Sequence, residues 1–447
     1  MTLRMRTLAA ALAAALPFAA QATDGYFAHG YGMQAKGMGG ASTAVAESAF
    51  GAATNPATMA FAGNRWELGV DLFSPWRKSE RRGGAMYGLD GSADSDSNYF
   101  PIPEFAYNQM ISPAMSLGLT VYGNGGMNTD YNGGQLPSPG ACGPATGPGT
   151  GFNPAPGPYN LLCGNGSLGV DLMQLIVAPS VALRVAPDHS IGVAPLFAYQ
   201  RFEMNGIQPF AGFSTSPGNV TNLGYDDSTG WGVRVGYYGR LSPTLAIGAA
   251  YASKMRMSEF DKYKGLFAEQ GGFDIPSHWS LAIAFNPTPD SMVTAEFQRI
   301  NYTDAKSVGN PSRLLLDCAG GSFANCLGGP DGAGFGWQDV DVFKLGVQWQ
   351  QSPTLTLRAG YNLSDNPIRS EDVTINILAP GVVRHHVTLG ATWKLDQASA
   401  VTAAFMYAFS NDVEGPSLFN QFVPGLNATE KIEMYQYSIG VQYSRRF

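Results

Sequence analysis

No run of 18 or more apolar residues occurs beyond the first twenty-two positions of this 447-residue chain, so no segment past them can cross a bilayer as a helix. Charge is scarce as well. Asp, Glu, Lys and Arg make up 14% of the residues, against about 25% in an ordinary soluble domain. Acids outnumber bases 34 to 27, and no basic stretch stands out, which removes the footprint of a nucleic-acid binder. There are five histidines and four cysteines. No Cys-x-x-Cys spacing and no histidine near a cysteine is present, so nothing points to a zinc site. No catalytic, metal or cofactor constellation emerges. Low charge would suggest a strongly apolar chain, yet the mean hydropathy is only −0.07. Apolar residues must therefore be diluted by polar ones at close intervals, as alternation along membrane-crossing strands requires.

What is abundant supports that reading. Glycine accounts for 56 residues and aromatics for 12%. The last thirteen residues read YQYSIGVQYSRRF. Tyr435, Tyr437, Ile439, Val441, Tyr443 and Phe447 share one parity, broken by Arg445. Gln436, Ser438, Gly440, Gln442, Ser444 and Arg446 share the other. Successive side chains of a strand point to opposite faces, so one face is apolar and the other polar and small. A long aromatic strand ending on Phe447 is the pattern that an outer-membrane barrel presents to its assembly machinery, with lipid on one face and lumen on the other. At the other end, Arg4 and Arg6 precede an Ala/Leu-rich core from Thr7 to Leu16, and Ala20-Gln21-Ala22 is a small-x-small cleavage signal. Residues 1–22 read as a secretory signal peptide. Its removal takes the formal net charge from −7 to −9.

Fourteen alternating segments follow, near 65–74, 99–111, 115–131, 167–185, 189–205, 225–241, 245–260, 275–286, 291–303, 338–350, 354–364, 381–395, 399–411 and 430–447. Connections after the even-numbered segments are short, such as Ser112-Pro113-Ala114 and Ser242-Pro243-Thr244. Most of those after the odd-numbered ones are long. Short turns at one rim and long loops at the other define an outer-membrane barrel with periplasmic turns. The expected fold is all-β: a 14-stranded antiparallel transmembrane barrel over 64–447. Residues 23–63 are rich in Gly and Ala, poor in charge and carry several aromatics, which is unlike disorder. A fourteen-strand barrel is too wide for its own side chains to fill, so this segment is expected to be a hatch plugging it. The cysteines permit three pairings. The local one, Cys142–Cys163 and Cys318–Cys326, keeps each bridge within one loop and is favoured for an exported chain.

The start GYF…GYG…KGMGGA, the Asn55-Pro56-Ala57 triplet and the fourteen-segment pattern ending in Phe447 together resemble the FadL/TodX family of outer-membrane channels for hydrophobic compounds. The likeness spans essentially the whole mature chain. It implies a monomeric barrel of a Gram-negative outer membrane, closed by a hatch containing Asn55, Pro56 and Ala57. It implies capture of substrate in an outer apolar groove, transfer to an inner site near Thr23, Asp24, Gly25, Tyr26 and Phe27, and sideways release through a kinked third strand. Gly123-Asn124-Gly125-Gly126 supplies the kink, since glycines weaken a ladder and mark bulges. Phe152, Tyr159, Leu161 and Leu162 of one loop, with Ile207, Phe210 and Phe213 of another, are candidates for the groove. Arg234, Lys344 and Arg358 fall on lumen parity and are candidate partners for a carboxylate. Expected partners are a hydrophobic small molecule, outer-membrane lipid and lipopolysaccharide, and the barrel-assembly machinery. Long-chain fatty acids are the expected cargo, with aromatic hydrocarbons such as toluene as the alternative. A general porin and an outer-membrane hydrolase are alternatives of other classes. The plug argues against the first, and the lack of a Ser/Asp arrangement around any histidine argues against the second.

Overall fold

A computed structural model describes residues 23–137, 140–144 and 151–447; the leader at 1–22 lies outside the described residues. Fourteen antiparallel strands form the wall: β1 Arg65–Arg82, β2 Phe100–Ser112, β3 Met115–Tyr131, β4 Leu168–Ala186, β5 His189–Asn205, β6 Asp226–Ser242, β7 Leu245–Ala252, β8 His278–Thr288, β9 Ser291–Ile300, β10 Val340–Gln350, β11 Leu355–Ser364, β12 His385–Lys394, β13 Ser399–Pro416 and β14 Thr429–Arg446. β14 pairs with β1 from Arg65 opposite Arg446 to Arg82 opposite Thr429, and this seam closes the ring. No described helix is long and apolar enough to cross a membrane.

The alternation read from the sequence sets the two faces. On β10, Phe343, Leu345, Val347 and Trp349 are exposed on the outer surface, whereas Lys344 is 6% exposed. On β14, Ile439 and Val441 face outward and Gln436, Ser438 and Gln442 are buried inside. β1 and β13 run further than the sequence suggested, to Arg82 and Pro416. Their outer ends pair with β14 and with a short strand, Gly91–Asp94, so backbone pairing carries them past the apolar band. β7 is shorter than expected and stops at Ala252. The chain then doubles back, and Arg256–Met257 pairs with Gly230 and Trp231 of β6. Both disulfides are local, Cys142–Cys163 and Cys318–Cys326.

Residues 23–63 lie inside the ring and are almost wholly buried. Their short helical turns leave many backbone donors free, and a buried donor must find an acceptor. The polar lumen face provides them. Gly32 N donates to Glu104 Oε2 at 3.1 Å, Met33 N to Gln442 Oε1 at 2.9 Å, Gly39 N to Thr388 Oγ1 at 2.8 Å, and Ser42 N and Thr43 N both to Glu296 Oε2 at 2.9 Å. Lys36 Nζ pairs with Asp71 at 2.7 Å and Glu104 at 3.8 Å, all three buried. Inward-facing glycines of the wall give the segment room. Cβ atoms at Gly192 and Gly236 would overlap Pro56–Ala57 and Asn55, and one at Gly360 would overlap Met38 and Gly39. These wall glycines form the floor on which the inner segment rests.

Candidate substrate pathway

Asn55, Pro56 and Ala57 seat the inner segment on β5 and β6. Asn55 Oδ1 accepts from Ala57 N at 3.1 Å, capping a turn that begins on Pro56. Its Nδ2 donates to Thr43 O and to Tyr237 O of β6, each at 2.8 Å. Ser190 Oγ of β5 donates to Ala57 O at 2.8 Å.

The wall has a window beside β3. β2 and β3 pair only from Ser112 opposite Met115 up to Phe105 opposite Val121. Above that, Phe100–Glu104 of β2 stays with β1 while β3 continues with β4 alone. The register against β4 shifts between Gly123 and Gly125, leaving Asn124 as an extra residue, a bulge that turns β3 away from β2. The upper rim is closed by Asp96 N donating to Asp130 O at 2.8 Å and by a bridge between Ser95 and Tyr131. From inside, residues 26–28 pair with the edge that β2 abandons. Ala28 N donates to Asn124 O at 3.0 Å, and Gly126 N to Tyr26 O at 3.1 Å. Backbone groups of a window in lipid need protein partners, and residues 26–28 supply them. Gly125 admits this pairing because a Cβ there would overlap the Tyr26 carbonyl.

Tyr302, in the loop before β10, fixes the same segment. Its hydroxyl accepts from Tyr26 N at 3.1 Å and Phe27 N at 3.3 Å and donates to the Asp24 carbonyl. Gly25 turns here at φ +69°, a conformation that suits glycine, and any Cβ would run into the Tyr302 ring. The Tyr26 ring lies 5.1 Å from Tyr302, 5.8 Å from Trp337 and 6.3 Å from Phe273. Below this aromatic cluster an inner apolar cavity of about 320 Å³ of empty space is lined by Tyr26, Trp337, Phe73, Pro75 and Met127. It spans from β1 to the free edge of β3, so it abuts the window.

Across residues 26–28 lies a polar cavity of about 380 Å³, bounded by Ala28, His29, Tyr31, Arg234, His278 and Lys344. Arg234 is 1% exposed. Its Nη1 donates to Tyr122 OH at 3.0 Å, and Nη2 lies 3.5 Å from His278 Nε2. Among the described residues no carboxylate lies within 4.0 Å of it. Lys344, by contrast, is held by Glu296 at 3.3 Å and Gln298 at 2.7 Å. Arg358 is elsewhere: it lines a separate cavity at the periplasmic end and bonds Gln348 and Thr392.

On the extracellular side an outer apolar cavity of about 490 Å³ is lined by Leu162, Ile207, Phe210, Leu266, Phe267 and Leu315, among others. Three of the seven loop residues singled out in the sequence line the outer cavity. Phe152 and Phe213 instead pack on Phe422, while Tyr159 and Leu161 are buried and do not line that cavity. Leu266, Phe267, Leu315, Phe335 and Leu378 come from loops whose apolar residues show no strand-like period. Only their length hinted at a role.

Asp24 is fully buried, and burial pushes its carboxyl up to about 6, against a smaller opposing pull from Lys344 and a hydrogen bond from Asn362. Undocked, its value returns to about 3.8. The neutral form is thus favoured when residues 23–28 are docked. Docking has its full strength below about pH 3.8 and loses it as pH rises through about 6. With Thr23→Cys as the sole free thiol, its labelling rate relative to an exposed control thiol is expected to rise several-fold between pH 5 and 7. Asp24→Asn should flatten that rise.

A closed fourteen-strand barrel, occupied by a buried inner segment and flanked by apolar cavities, defines an outer-membrane channel protein. The model of the outer membrane protein transport family (OMPP1/FadL/TodX) matches residues 160–447, and the chain belongs to this family. It is an outer-membrane transport protein for hydrophobic compounds and not an enzyme. Among solved structures, the Pseudomonas putida toluene transporter TodX superposes with a TM-score of 0.64 at 17% identity, covering 95% of this chain and 100% of that one. A Pseudomonas aeruginosa FadL homologue gives 0.69 at 14%, covering 95% and 100%. The Ralstonia pickettii toluene transporter TbuX gives 0.60 at 18%, covering 94% and 99%. At these identities the likeness speaks for the fold. No curated protein matches the chain by sequence.

Proposed function

We propose that this protein is a passive channel for long-chain fatty acids. The observation that carries this reading is Arg234: a buried guanidinium with no carboxylate partner among the described residues, set in a polar cavity one strand away from an apolar one. A buried charge is costly unless paired, and the head group of a fatty acid would pair it while the acyl chain occupies the apolar side. In this reading, residues 23–63 are the hatch of a barrel formed by 64–447. Substrate collects in the outer cavity by buried area, at about 25 cal/mol per Å², so selection among chain lengths is broad. It passes to the site beside Tyr26 and Phe27 and leaves sideways through the window at Gly123–Gly126. Outer-membrane lipid receives it. Lipopolysaccharide surrounds the outer half, the final strand ending in Phe447 engages the assembly machinery, and the barrel works as a monomer.

One observation favours aromatic hydrocarbons instead. Tyr26, Tyr302, Trp337 and Phe273 form a ring-lined wall suited to a flat aromatic solute. Uptake of labelled oleate and labelled toluene by cells lacking their own hydrophobe channel separates the two. Oleate uptake alone supports the fatty-acid reading; toluene uptake alone replaces it; uptake of neither overturns both. Deleting Thr23–Phe27 is expected to lower uptake of the true cargo severalfold while the barrel keeps its heat-modifiable mobility on a gel. Unchanged uptake would remove these residues from the pathway.

A further inference from the structure

The periplasmic mouth holds a third cavity, about 1,060 Å³ of empty space in open contact with solvent, between the inner segment and β10–β14. Its charged lining is unbalanced. Arg65, Arg358, Lys394, Arg445 and Arg446 stand against Glu47 and Asp396. Both acids are already engaged. Asp396 accepts the amides of Ala398 and Ser399 at 2.7 Å each, and Glu47 accepts from Gln348 Nε2 at 3.0 Å. Of the five bases, Arg65 alone has a carboxylate within 4.0 Å among the described residues, Glu67 at 3.6 Å. Its Nε is buried and unpartnered. Arg358 is 6% exposed and is oriented by its neighbours: Nε donates to Gln348 Oε1 at 2.7 Å and Nη1 to Thr392 Oγ1 at 2.6 Å. Among the described residues Nη2 has no acceptor. A chain of strong net negative charge thus concentrates uncompensated positive charge at one end of its lumen, with a buried guanidinium held in place by neutral groups.

We propose that this vestibule is a binding site for an oxyanion, a carboxylate or phosphate group, with Arg358 as the oriented donor and Lys394, Arg445 and Arg446 supplying the surrounding field. A planar guanidinium with a free edge suits a two-oxygen acceptor. The oxyanion comes either from free anion in the periplasm or from the head group of an amphipathic molecule. The site is separate from the Arg234 cavity and independent of which cargo crosses the barrel.

The test is calorimetric titration of the full chain in lipid nanodiscs with inorganic phosphate and, separately, with laurate. Saturable phosphate binding is expected, weakened at least tenfold in the double variant Arg358→Gln, Arg446→Gln. Laurate displacing phosphate from the same site supports an amphipathic source, and phosphate binding without such competition supports a free anion. Because Arg358 is buried, the pair Lys394→Gln, Arg446→Gln, both exposed, is measured alongside and should weaken binding several-fold in an intact barrel. Absence of saturable phosphate binding, or equal affinity in wild type and both double variants, overturns the proposal.

Discussion

Replacing Arg234 with methionine is expected to cut oleate uptake at limiting concentration about tenfold or more and to leave toluene uptake unchanged. Among the described residues the guanidinium bonds Tyr122 and His278 and no carboxylate, so removing it strands none. Exchanging a buried unpaired charge for an apolar side chain of similar length should leave the barrel at least as stable. The loss then falls on the ligand. A hydrogen bond to a charged group contributes about 1.5–3 kcal/mol, which corresponds to roughly ten- to hundredfold in affinity. Toluene has no anionic group to lose. Equal losses for both solutes would point to collapse of the cavity, and no loss for either would leave Arg234 with a structural role.

Replacing Arg81 with methionine should have the largest effect on stability, about 3–5 kcal/mol, the usual consequence of removing one partner of a buried ion pair. Arg81 and Glu430 are fully buried at the outer end of the β1–β14 seam, with Nη2 and Oε1 2.5 Å apart. The same guanidinium donates to Leu161 O at 2.8 Å and to Leu89 O at 3.4 Å, and lies 4.4 Å from the Phe419 ring. Glu430 also accepts from Ser417 Oγ at 2.8 Å. One pair thus ties the seam to three extracellular loops. The denaturant midpoint in detergent should fall, and the loops should become protease-sensitive before the strands do. The double variant Arg81→Met, Glu430→Leu should recover much of the loss, because no orphaned charge remains.

The wall was legible because a strand's period is two and lipid is uniform: every outward residue between Phe343 and Trp349 answers to the same solvent. The local disulfides were legible because each joins two cysteines of one loop; the seating of Asn55-Pro56-Ala57 on Ser190 and Tyr237 was not, because those residues lie far along the chain and come close only in the closed ring. The outer cavity was not legible either. Leu266, Phe267, Leu315 and Phe335 sit in loops where no period operates, and only the closed ring brings them together. Nor does parity alone separate Arg234 from Lys344 and Arg358. All three face inward, yet which has a carboxylate beside it depends on strand register and on where the inner segment lies. The window illustrates the same limit. Three glycines in four residues announced a weak ladder at β3, but the partner that fills the vacated edge, Tyr26 to Ala28, lies about a hundred residues earlier in the chain.

The seam between β1 and β14 also constrains the order in which this molecule can be made. It joins residues about 350 to 380 positions apart, from Arg65–Arg446 to Arg82–Thr429. The inner segment, immediately before β1, must be in the lumen when that seam forms, because its contacts with β5, β6, β9 and β12 are enclosed by the completed ring. Ring closure is therefore a late event of very high sequence separation, and such events are slow. Until it occurs, two strand edges eighteen residues long stand open, each a template for mispairing. Substitutions that loosen the inner segment should thus show themselves first as slow or failed maturation, with molecules trapped half-closed, rather than as finished barrels that come apart.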